Sequence, residues 1–72
     1  MADVALQSEV TGTVWKIEVK AGDAVEADQT LVVMESMKME IPVVAPRAGT
    51  VRRVLVAEGE AVAEGQDVVV LA

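Results

Sequence analysis

Residues 12–35 and 49–72 align with one another at a fixed offset of 37 and no gap, and ten of the 24 aligned positions are identical. The matches are Gly12/Gly49, Thr13/Thr50, Val14/Val51, Val19/Val56, Gly22/Gly59, Ala24/Ala61, Val25/Val62, Gln29/Gln66, Val32/Val69 and Val33/Val70. Two glycines kept at one spacing are not explained by an abundance of valine. A motif written twice gives a unit with approximate two-fold symmetry, because a solenoid needs about three or more copies. The chain is therefore expected to be one domain over residues 1–72, built from two halves. The initiating Met1 favours a free-standing or deliberately truncated unit.

Both halves parse in the same way. After Gly12, Trp15, Ile17 and Val19 alternate with Lys16, Glu18 and Lys20, the period of a strand with one buried face. That pattern predicts Trp15, Ile17 and Val19 pointing inward. In the second copy Arg52 stands in place of Trp15 and Leu55 in place of Glu18. Gly22-Asp23 and Gly59-Glu60 read as turns. Val25 and Val62 then stand alone among polar and small residues, as single inward plugs. The next turn pairs Asp28 with Gly65, and Asp is among the few non-glycine residues that tolerate the left-handed region, so Asp28 is expected to have positive φ. The runs Leu31 to Met34 and Val68 to Leu71 are apolar throughout, as strands covered on both sides are.

Valine accounts for 16 of the 72 residues and Trp15 is the one aromatic, so the class is all-β with a thin core of two closely packed small sheets. If Trp15 is buried, its replacement by Ala costs roughly 3–5 kcal/mol. An unchanged melting temperature would instead show it exposed.

The absence of His and Cys removes disulfides, thiolate nucleophiles, the usual zinc sites and imidazole acid/base chemistry. We therefore expect no catalytic residue and no metal site. A net charge of −6 argues against a nucleic-acid partner. The longest apolar run at the C-terminal end, Val68 to Ala72, falls far short of the ~20 residues of a membrane-spanning helix. Met1-Ala2-Asp3 does not begin a secretory signal, and a cytoplasmic location is the expectation.

Between the halves lies Glu35-Ser36-Met37-Lys38-Met39-Glu40. The strand ending at Glu35 and the one starting at Met39 are separated by too few residues for a crossover, so they form a hairpin with Lys38 at its turn. Tight hairpins favour Asn-Gly or Asp-Gly at the turn, and Met37-Lys38 breaks that rule. Such a break points to function. An ordinary solvated lysine between two core methionines is the plain alternative. Lys38 at a tight turn nevertheless leaves at least one methionine exposed, as a surface for a partner to grip. Glu35 and Glu40 bracket the amine with negative charge, so another protein has to activate it. Further on, Ile41 and Val43 alternate with Glu40 and Pro42 as a strand. Pro42 cannot donate a ladder hydrogen bond, so it must face away from a neighbour or lie at an edge. Its N-terminal counterpart is a weaker strand over Val4 to Glu9, expected beside the C-terminal one.

Glu35-Ser36-Met37-Lys38-Met39, followed by Glu40 to Pro46 and by Ala48-Gly49-Thr50-Val51, resembles the biotin-attachment signature of biotin carboxyl carrier proteins and biotinyl domains. Gly22-Asp23-Ala24-Val25 and Gly59-Glu60-Ala61-Val62 resemble the paired turns of the same biotinyl/lipoyl superfamily. The resemblance runs from about Gly12 to Leu71. It implies a flattened barrel-sandwich of two small antiparallel sheets with pseudo-two-fold symmetry, the modified lysine on a β-hairpin at one end and both termini at the other. It also implies a non-catalytic carrier. Lys38 would be biotinylated through an amide by a biotin protein ligase that recognises Glu35, Met37 and Met39. The biotin would then carry a carboxyl group from a biotin carboxylase to a carboxyltransferase, in an enzyme such as acetyl-CoA carboxylase. The chain departs from the commonest pattern at Asp28 and lacks the protruding thumb of some acetyl-CoA carboxylase carriers. A lipoyl carrier shares the fold, but its signature has Asp before the lysine and Ala or Val after it. A module used only for docking would be indifferent to Lys38.

Overall fold

Every regular element among the described residues, 3–72 of the computed structural model, is a β-strand. Met1 and Ala2 of the expected 1–72 domain lie outside the described residues. The strands are β1 (Val4–Gln7), β2 (Gly12–Ile17), β3 (Ala24–Val25), β4 (Thr30–Ser36), β5 (Met39–Val44), β6 (Gly49–Val54), β7 (Ala61–Val62) and β8 (Asp67–Leu71). They form two four-stranded sheets, ordered β5-β4-β2-β7 and β1-β8-β6-β3, with antiparallel pairing throughout. An offset of 37 carries one sheet onto the other strand by strand. Each half lends its shortest strand to the other half's sheet: β3 pairs with β6, and β7 with β2.

The identical residues sit where this exchange takes place. The amide of Val14 donates to the Glu60 carbonyl at 2.9 Å, and that of Val51 to the Asp23 carbonyl at 2.8 Å. In return the amides of Gly59 and Gly22 donate to the carbonyls of Val14 and Val51, at 2.7 and 2.8 Å. A side chain at Gly12 would collide with the carbonyl of Glu35, and one at Gly49 would come within 2.9 Å of the carbonyl of Ala72. Both glycines are thus required by close backbone approach. The acidic residue after each turn glycine accepts from the amide three residues earlier, Lys20 to Asp23 and Ala57 to Glu60, both at 3.0 Å. Gln29 and Gln66 close the following turn in the same way, accepting from Glu26 at 3.0 Å and Ala63 at 3.1 Å. In that turn Asp28 has φ 68°, against 85° at Gly65, as its sequence position predicts.

Val14, Val25, Leu31, Val32, Met34, Val51, Val62, Val68, Val69 and Leu71 fill the narrow space between the sheets. The domain measures 35 × 17 × 17 Å, which leaves room for one layer of side chains from each sheet. Pro42 lies on β5, an edge strand, where its missing N–H does not interrupt the sheet.

Trp15 departs from the simple alternation. The β2–β4 register shifts between Val14 and Lys16, a bulge that leaves Trp15 unpaired and places it on the outer surface, 50% exposed. Val14 takes the inward position instead and is fully buried. The second half has the same bulge between Val51 and Arg53, with Arg52 exposed. A period-two reading misses one inserted residue and so assigns the residues before it to the wrong face. The expected cost of replacing Trp15 falls accordingly. By denaturant unfolding, Trp15→Arg should change stability by no more than about 0.5 kcal/mol, while Leu31→Ala should cost about 2–5 kcal/mol.

Candidate functional site

β4 and β5 are joined by two residues, since Ser36 pairs with Met39. Met37 and Lys38 form the turn with φ of 52° and 64°. Two successive positive φ values are those of a type I′ turn, whose twist matches the right-handed twist of the strands it joins. Neither residue favours that conformation, and for an ordinary L-residue the left-handed region is disfavoured by about 1–2 kcal/mol. The hairpin forms because the β4–β5 ladder continues to its last pair and dictates the turn.

The ladder has its own supports. Ser36 Oγ donates to the Thr11 carbonyl at 3.0 Å, and Thr11 Oγ1 accepts from the Glu64 amide at 3.0 Å. The hairpin base is thereby tied to the segment before β2 and to the turn before β8. Gly12 allows that contact, because β2 passes against the backbone of Glu35. Thr11, Gly12 and Ser36 are not apparent as site residues from sequence. The signal available was that a glycine starts both repeats, Gly12 after Thr11 and Gly49 after Ala48.

The residues expected at the site come together. Lys38 is exposed, Met37 is 92% exposed and Met39 63% exposed, so neither methionine contributes to the core. Among the described residues no carboxylate lies within ion-pairing distance of the Lys38 ammonium. Glu35 and Glu40 occupy directly opposed positions, both exposed. Like charges in that arrangement repel across the strands. Two surface grooves of about 260 Å³ are lined by β1 and β5 residues and by residues 17–23, and neither contains any of Glu35 to Glu40. The lysine projects from a point instead of facing a cleft. This arrangement leaves the amine exposed at the tip of the hairpin.

The model of the family described as biotin-requiring enzymes matches residues 3–71. The chain belongs to the biotinyl/lipoyl attachment family. The Bacillus subtilis biotin/lipoyl attachment protein is 51% identical over 57 residues, 79% of this chain and 78% of that protein. The Streptococcus mutans biotin carboxyl carrier protein is 37% identical over 67 residues, 93% of this chain and 52% of that one. Among solved structures, the urea carboxylase of Kluyveromyces lactis superposes with a TM-score of 0.94 at 36% identity, over all of this chain and 6% of that one. The chain thus corresponds to most of one small relative, half of another and a small segment of a large enzyme. The cofactor that goes with this family is covalently attached biotin.

The turn geometry gives a direct test of the site. Replacing Met37-Lys38 by Asn-Gly should raise the unfolding free energy by about 1 kcal/mol, since both residues then suit a type I′ turn. Loss of stability in denaturant titration would show that the methionine and lysine side chains support the hairpin.

Proposed function

We propose that the chain is a biotin carboxyl carrier, loaded through an amide at Lys38 Nζ and serving the biotin carboxylase and carboxyltransferase centres of a biotin-dependent carboxylase. The observation that carries this reading is the exposed lysine at the apex of a two-residue hairpin, with no ion pair among the described residues and flanked by two exposed methionines. The site fits the cofactor, because acylation needs a reachable amine and no pocket. A biotin protein ligase would grip Met37 and Met39 by their thioether side chains and Glu35 by its charge. In the acylation the Nζ lone pair adds to the carbonyl of an activated biotin, the activating group leaves, and the amine gives up a proton.

When attached, biotin supplies a ureido nitrogen that takes up a carboxyl group and gives it away. The chain's part is mechanical. The ladder from Thr30 to Val44 and the Ser36–Thr11 bond hold the hairpin base, from which the lysine side chain and its cargo extend. A tether of this kind holds its cargo at an effective concentration on the order of millimolar for a second site within reach. No acid, base or nucleophile is required of the domain. The family resemblance extends to carboxylases acting on different acceptors, so the acceptor is set by the transferase.

The test is transfer through the loaded domain. Biotinylated protein incubated with a biotin carboxylase, ATP and labelled bicarbonate should take up acid-labile label, and Lys38→Arg should take up none. Equal labelling of the Arg variant would refute the assignment.

A further inference from the structure

The internal repeat provides a control for every side chain, because each position of one sheet has a structural counterpart in the other. The bulge of β2 and the bulge of β6 are the same feature, yet one carries Trp15 and the other Arg52. The fold does not require an aromatic residue there, since both positions are exposed. Arg52 is accounted for by its Nε, 3.1 Å from the carboxylate of Asp3. The counterpart of Asp3, at the offset of 37, is Glu40. A side chain at this bulge therefore lies in reach of the position that, on the hairpin sheet, flanks the lysine turn.

Val14 is buried between the sheets, so its exposed neighbour Trp15 lies on the outer surface of the sheet. The outer surface of the hairpin sheet thus presents an indole and then the carboxylates of Glu35 and Glu40. Glu40 has no cation within ion-pairing distance among the described residues. The whole set is continuous with the hairpin. Trp15 lies three residue rises, about 10 Å, from the row of Ser36 and Met39. A recognition patch of ~800 Å² extends on the order of 16 Å from its centre, so one centred on the hairpin includes Trp15.

We infer that Trp15 anchors the docking of the biotin protein ligase, the indole entering an apolar pocket while basic residues of the ligase meet Glu35 and Glu40. This rests on the proposed loading of Lys38. Reach favours the ligase over the carboxylase centres. Before loading, Nζ extends from the hairpin by one lysine side chain only, so the acylating enzyme has to approach the protein surface closely. After loading, the arm is longer and the body can stand further from the active site. A half-exposed tryptophan beside the hairpin suits the first contact, and buried Trp anchors are prominent in protein interfaces.

The experiment measures biotin incorporation by a purified ligase with ATP and varied carrier concentration. Trp15→Arg, which reproduces the residue tolerated at the second bulge, should raise KM roughly tenfold or more, with kcat and melting temperature unchanged. Arg52→Ala should leave both constants unchanged. Identical kinetics for Trp15→Arg and the native chain would overturn the inference. So would a loss confined to kcat, or normal loading followed by impaired carboxylation, which would assign the tryptophan to the carboxylase. If the native chain itself is not loaded at Lys38, the carrier reading has failed instead.

Discussion

The exchange of β3 and β7 between the two halves holds the domain together. Neither half can complete a sheet alone, since β2 needs β7 and β6 needs β3. Within each half, backbone comes against backbone, Gly12 beside Glu35 and Gly49 beside Ala72, where a methyl group would already be too large. A chain with a single aromatic residue has little bulk with which to fill a core. Interlocked strands compensate by allowing valine-sized side chains from two sheets to meet across a narrow gap.

The same symmetry explains why the chain has one exposed hairpin lysine. Strands β4 and β5 are carried onto β8 and β1, and their register is reproduced: Met34 opposite Ile41 corresponds to Leu71 opposite Val4. The β4–β5 turn therefore corresponds to the side where β8 and β1 have no connection. β1 and β8 run from Gln7 and Asp67, near the hairpin base, to Val4 and Leu71 at the far end. The lysine turn and the paired ends of β1 and β8, at Val4 and Leu71, occupy opposite poles of one scaffold.

Much of this was legible in the residues. The repeat gave the symmetry, the alternation of Ile41 and Val43 gave β5, and the mismatch of Asp28 with Gly65 gave a left-handed turn. Met37-Lys38 marked the site because it violates hairpin chemistry. What period-two reasoning missed was the pair of bulges, since a bulge adds one residue without any compositional signal. That omission put Trp15 in the core, where its size suggested it belonged. The supports at Thr11 and Ser36 were also hidden, because their partners are distant in sequence. The departures of one repeat from the other, such as Trp15 against Arg52, carry information that neither copy holds alone.

The central claim is that this scaffold offers one lysine, and one only, for acylation. Lys16 and Lys20 are also exposed but lie on or next to β2, away from the turn. Peptide mapping by mass spectrometry after co-expression with a biotin protein ligase tests this directly. A single biotinyl group is expected, on Lys38, with Lys16 and Lys20 unmodified. Biotin on either of those lysines, or lipoate on Lys38, would contradict it.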